Sequence, residues 1–258
     1  MKKYIIFFFK RIFIKILSYF NHTIIHSDEL GSFKKNTIIE EINEYEKNLL
    51  NRTKKFTSVG TIPTWMIINS IKYIKNNNIE GDFVEAGVFR GGNLIIYKEL
   101  NDTLKLNKKI YAYDTYEGMP KPNDKLDIKW NNSKGDWIYN HVKKDNWCKC
   151  SLDNVKNNLL SEINNLNNII FVKGLVEDTL KIEKNLPKKI SLLRLDTDFY
   201  ESTKIELEIL FPRLSRGGIL IIDDYGEWKG AKKAVDDYFK NSPLLIYLDH
   251  GVRMLIKN

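Results

Sequence analysis

Two short acidic runs carry the most chemistry in the sequence. Asp196 and Asp198 flank Thr197 after the apolar stretch at 190–195, and Asp223-Asp224 follow a second apolar stretch at 218–222. Brought to one edge of a sheet, three of these acids repel one another. A hard divalent cation removes that repulsion, and an all-oxygen ligand set suits Mg²⁺, which keeps positions open for water and a substrate hydroxyl. Either run alone is equally what a solvated loop or a helix N-cap looks like. It is the pair, at the ends of neighbouring strands, that points to a metal.

A second constellation is Glu85-Ala86-Gly87-Val88-Phe89-Arg90-Gly91-Gly92-Asn93. Glycines here let the backbone pass close to a ligand at a helix start. The order is acid first, not G-x-G-x-x-G, so it suits a ligand with an ammonium group better than a pyrophosphate. The methionine end of S-adenosylmethionine presents such a group. Further on, Asp114 ends another apolar run, where a carboxylate either accepts both hydroxyls of a ribose or caps a loop. Together the two stretches indicate an adenosyl cofactor without deciding its identity.

Stepping from these residues to what must hold them, strands are predicted near 82–86, 110–114, 169–174, 190–196 and 218–223, and helices near 91–105, 152–166, 200–214 and 229–240. Strict alternation gives an α/β fold, a doubly wound and mainly parallel sheet whose ligands bind beyond the strands' carboxyl ends. Residues 38–50 and 64–76 show helical recurrence ahead of the sheet, and the runs at 244–249 and 252–257 read as a closing strand pair. Residues 115–150 interrupt the alternation with Pro, Asn, Gly and Trp130, Trp137 and Trp147, which reads as a functional lid or a disordered excursion.

The net charge of +8 owes five units to Lys2, Lys3, Lys10, Arg11 and Lys15, leaving +3 on the rest of the chain and no broad basic face for nucleic acid. Residues 1–20 contain no apolar run of the roughly 20 residues a bilayer span needs. They read as a basic amphipathic helix, either lying peripherally on an anionic membrane surface or packing on the domain or a second subunit. The division is an extension, 1–35, and a catalytic domain, 36–258, in a cytoplasmic protein whose Cys148 and Cys150 are reduced thiols.

In order, GDFVEAGVFRGG, YAYDTYEGMPKP, FVKGLVEDTL, LLRLDTDFYESTKIELEILFPRLSRGGILIIDDYG and KKAVDDYF closely resemble the macrocin O-methyltransferase family, from about Thr57 to the C-terminus. The resemblance implies a Rossmann-like class I methyltransferase that uses S-adenosylmethionine and Mg²⁺ on a hydroxyl of a sugar, glycosylated metabolite or polysaccharide precursor. It further implies that Glu85, Gly87, Gly91 and Asn93 surround the methionine end and Asp114 the ribose. Val176 and Glu177 would meet the adenine, Thr57 and Ser58 would close over the cofactor, and Asp196, Asp223 and Asp224 would hold the metal. The strand-end pattern is also similar to catechol-type methyltransferases, which place a lysine base three residues after the first metal aspartate; here that position is Phe199. Asp196, His141 in the lid and Asp198 are the base candidates. A metal-dependent nucleotide enzyme and an inactive membrane-bound scaffold are the competing readings; the first lacks a Gly-Lys phosphate loop.

Overall fold

The computed structural model describes residues 41–140, 147–240 and 243–258, with one compact unit running Asn43–Asn258. Residues 1–40 and His141 lie outside the described residues. Helices α1 (Glu44–Thr53) and α2 (Thr61–Asn76) lead into β1 (Asp82–Ala86), α3 (Gly92–Thr103) and β2 (Ile110–Asp114). After the irregular segment, whose described residues include a short turn α4 (Gly135–Ile138), come α5 (Leu152–Leu160), β3 (Ile169–Lys173), α6 (Val176–Thr179), β4 (Ile190–Leu195) and α7 (Tyr200–Leu210). The chain closes with β5 (Leu214–Ile222), α8 (Lys229–Phe239), β6 (Ile246–Tyr247) and β7 (Arg253–Ile256).

The sheet runs β3-β2-β1-β4-β5-β7-β6, with the first five strands parallel and β7 antiparallel to both neighbours. Alternate residues of each central strand feed opposite faces. Phe83, Ala112, Leu192 and Ile221 join one core with residues of α2, α3 and α5, whereas Val84, Tyr113, Leu193 and Ile222 join another with residues of α7 and α8. This is the doubly wound architecture the alternation predicts, and the five parallel strands fall where they were expected.

Differences in element ends have local causes. Helix α1 begins only at Glu44, because the Asn43 side chain caps it by accepting from the Glu46 amide at 3.0 Å. Helix α7 stops at Leu210, short of 214, since Pro212 has no amide hydrogen to continue it. β5 starts at Leu214, earlier than predicted, because Leu214 pairs with Ile190; the register then shifts across Gly217 (φ +77°) and Gly218 and resumes where Ile219 pairs with Leu192. Helix α5 ends at Leu160, and Ile163 turns back into the core.

The described part of the irregular segment is fastened to the sheet's carboxyl edge. Buried Asp127 accepts from the Asn123 amide at 2.7 Å and from the Tyr200 amide at 2.9 Å, so it ties the segment to the start of α7. Lys129 bridges Trp228 in antiparallel fashion, and the Trp130 amide donates to the Glu227 carbonyl at 3.0 Å. Among the described residues no helix is long and apolar enough to cross a membrane.

Candidate active site

Strand register levels the site. Ala86, Leu195 and Ile222 pair across β1, β4 and β5, and Ala86 also pairs with Tyr113 of β2. Pairing continues one residue beyond the strands: the Asp196 amide donates to the Ala86 carbonyl at 2.8 Å, and the Asp223 amide to the Leu195 carbonyl at 2.9 Å. Past this edge opens a cavity of about 370 Å³. Gly87, Asp114, Val176, Glu177 and Ser58 line it, and so do Asp196, Asp198, Asp223 and Asp224.

Gly87 makes this close approach feasible. Its φ is +87°, and a Cβ there would lie 1.8 Å from the Asp196 carbonyl oxygen. Only glycine fits between the two strand ends. Asp114 then fixes the turn that follows, accepting from the Val88 amide at 2.7 Å and the Phe89 amide at 3.0 Å through Oδ2 and from the Tyr116 amide at 2.7 Å through Oδ1. Both oxygens are thus engaged by backbone, which leaves capacity on Oδ1 for a further donor. The ribose acceptor and the loop cap, alternatives in the sequence, are compatible roles of one carboxylate.

Not every expected cofactor residue reaches the cavity. Glu85 and Asn93 are buried beneath its lining, where Asn93 Nδ2 donates to Glu85 Oε1 at 2.7 Å. Glu85 Oε2 and Asn93 Oδ1 are buried acceptors without a partner among the described residues, so the floor has unmet demand for a donor such as an ammonium or a bridging water. Gly91 (φ +90°) sits at the N-cap of α3, and a Cβ would meet Leu159 at 2.5 Å; its role in the fold is packing. Thr57 packs against Gly92 and accepts from the Val59 amide at 3.1 Å, while its neighbour Ser58 reaches the cavity.

At the other side, ligand oxygens of Asp196, Asp223 and Asp224 lie within 4.8 Å of one another. Burial, reinforced by mutual repulsion, pushes the Asp196 and Asp224 carboxyls well above the usual range, although Arg194 opposes the shift at Asp196. Such a cluster of hard oxygens with excess negative charge fits a divalent cation. Asp198 adopts φ +65° and donates its amide to Asp224 Oδ2 at 3.0 Å, and burial pushes its carboxyl up to about 7.

Two features escaped the sequence reading. Arg194, 1% exposed, donates through Nη1 to Glu85 Oε1 and Asp196 Oδ2 and through Nη2 to Asp223 Oδ1, all at 2.8 Å. A lone charge inside an apolar parallel strand was the available signal, since such a group must be paired when buried. Second, Phe199 packs with Trp147 and Trp228 at ring separations of 6.0 and 5.3 Å, so the position of the catechol-type lysine is given over to an aromatic core. Trp147 is therefore buried in this aromatic cluster, whereas Trp130 and Trp137 remain exposed.

Residues 51–249 match the family model for macrocin-O-methyltransferase (TylF). The chain is similar to demethyldecarbamoylnovobiocin O-methyltransferase of Streptomyces niveus, 29% identical over 70% of this chain and 67% of that protein. It is also similar to 8-demethyl-8-(2,3-dimethoxy-alpha-L-rhamnosyl)-tetracenomycin-C 4'-O-methyltransferase of Streptomyces olivaceus, 31% identical over 65% of this chain and 61% of that one. In three dimensions it resembles the O-methyltransferase NovP, with a TM-score of 0.69 and 27% identity over 78% of this chain and 82% of that chain. Because the family model spans well over half of the chain, the chain belongs to the macrocin O-methyltransferase family and is an O-methyltransferase.

Proposed function

We propose that the protein transfers the methyl group of S-adenosylmethionine, with Mg²⁺ assistance, to a hydroxyl of a sugar, a glycosylated metabolite or a polysaccharide precursor. The observation that carries this reading is the shared cavity: Asp196, Asp223 and Asp224 open into the same space as Gly87, Asp114 and Glu177. The relatives described above, which act on a novobiocin precursor and a rhamnosyl group, support a glycosylated acceptor.

When bound, the sulfonium supplies an electrophilic methyl and the metal acidifies a coordinated hydroxyl. The chain's own task is to hold the acceptor in line and receive its proton. Gly87, Asp114, Val176, Glu177 and Ser58 hold the cofactor, with the buried Glu85 and Asn93 acceptors beneath its methionine end. Asp196, Asp223 and Asp224 hold the metal. Asp198, on the cavity wall two residues from Asp196, accepts the hydroxyl proton, while Asp196 is engaged by Arg194 and the metal cluster. Lys129 and Trp228 form the far wall, with Lys129 Nζ 5.2 Å from the Trp228 ring, and exclude water around the acceptor. For residues 1–20 two readings stand together, peripheral contact with the inner face of a membrane or packing on the domain or a second subunit of a homo-oligomer.

Calorimetry with S-adenosylhomocysteine, followed by a labelled-methyl screen of sugar nucleotides and glycosylated metabolites, tests the reading. Binding and turnover are expected, with turnover lost on chelation and restored by Mg²⁺. Absence of cofactor binding overturns the methyl-transfer role, and full activity after exhaustive chelation overturns the metal.

A further inference from the structure

We infer that Arg194 is the positioning residue of the metal centre: its planar guanidinium aims Asp196 and Asp223, and Glu85 anchors it from behind. The inference rests on the metal reading above. Glu85 and Arg194 are register partners on β1 and β4, so their side chains emerge on the same face of the sheet, where Asn93 of α3 also contacts Glu85. The guanidinium engages one oxygen of Asp196 (Oδ2) and one of Asp223 (Oδ1), at 2.8 Å each. The second oxygen of each carboxylate is left for a cation. Asp224 is handled likewise by a backbone donor, its Oδ2 accepting from the Asp198 amide at 3.0 Å. Each of the three carboxylates is thus held by one oxygen before any metal arrives.

Strand stability does not account for Arg194. Its neighbours on β4, Leu192, Leu193 and Leu195, are buried apolar residues, and apolar side chains at both 194 and 85 would avoid desolvating two charges. A guanidinium is what three carboxylates around one point require, because its fork donates in fixed directions to several oxygens at once. A lysine keeps the charge but has no such geometry.

The test compares the parent with Arg194→Lys and Glu85→Gln, using Mn²⁺ as the probe. Paramagnetic resonance of the free ion reports Mn²⁺ affinity, and calorimetry reports S-adenosylhomocysteine affinity on the same preparations. Loss of Mn²⁺ binding in Asp223→Asn identifies the site. Arg194→Lys is expected to weaken Mn²⁺ by about ten- to a hundredfold, the usual consequence of removing a partner that orients metal ligands, with a smaller effect on S-adenosylhomocysteine. Glu85→Gln, close in size but without the anchoring charge, is expected to weaken Mn²⁺ in the same direction and decides the matter if the lysine variant fails to fold. Parental Mn²⁺ affinity in either folded variant overturns the inference. So does an equal loss of cofactor binding in Arg194→Lys, which makes Arg194 general support. If the parent itself binds no Mn²⁺, the metal reading falls, and the positioning role with it.

Discussion

On the Gly87–Asp114 side of the cavity, polar groups are satisfied by backbone, whereas on the Asp196–Asp224 side charged side chains crowd together with one guanidinium among them. Asp114 accepts from three amides, and Gly87 closes on Asp196 through main chain alone. Asp196 and Asp224 instead face each other and Asp223 with their carboxyls pushed upward by burial and repulsion. One side is therefore fixed by folding, and its residues cannot be changed without moving the chain. The other stores unfavourable electrostatics, which a cation bound as proposed above would relieve, so its residues would serve binding at the expense of the unliganded fold.

The largest effect that separates the two sides is expected at Gly87. Gly87→Ala combines a left-handed φ with a clash against backbone, and should destabilise by about 3 kcal/mol or more, seen as a lower urea midpoint. The control is Gly60→Ala, whose Cβ would come no closer than 3.5 Å to another atom and should leave the midpoint nearly unchanged. Comparable midpoints for the two variants would remove the backbone-built side of the comparison.

Next comes the charged side, where Asp224→Asn should impair metal binding and turnover without lowering stability. The sign follows from the direction of the shifts. A carboxyl raised above its unfolded value disfavours the folded state once it ionises, so unliganded stability should fall as pH rises. Glu85 and Asp198, pushed up to about 7 by burial from ordinary values of 4.5 and 3.8, place the fall between about pH 4 and about pH 7. Melting curves should show it in the parent, less of it in Asp224→Asn, and a reversal with saturating Mg²⁺. A parent whose melting temperature rises over that interval contradicts stored repulsion.

Asp114→Ala is expected to weaken S-adenosylhomocysteine by roughly 1.5–3 kcal/mol per lost charge-assisted bond. It also strands the Val88 and Phe89 amides, so a modest loss of stability should accompany it, and Asp114→Asn should be milder in both. Calorimetry and melting on the two variants sharpen the comparison by asking whether the loop cap and the ligand contact separate.

The smallest effect is at residues 1–20, whose deletion should leave methylation of a soluble acceptor intact and reduce sedimentation with anionic vesicles, with the difference fading at high salt. Equal sedimentation favours the packing-helix reading of that segment.

The alternation of apolar runs and amphipathic segments, the acids at strand ends and the glycines after β1 are local patterns, and the sequence by itself determined the parallel sheet and its ligand-binding edge from them. Side-chain identity could not tell which of those residues face the cavity. Glu85 and Asn93 lie beneath its lining while Ser58, from a distant loop, lies in it, because Glu85 turns from within β1 toward Asn93 of α3 and only the folded chain brings the loop before α2 to the strand ends. The fate of Phe199 was equally hidden: an aromatic ring becomes core only when Trp147 and Trp228, distant along the chain, meet it. Arg194 was written in the sequence as a charge in an apolar strand, but its three partners come from three strand ends. Those separate stretches are joined only by the register of β1, β4 and β5, so tertiary structure alone decided what that charge holds.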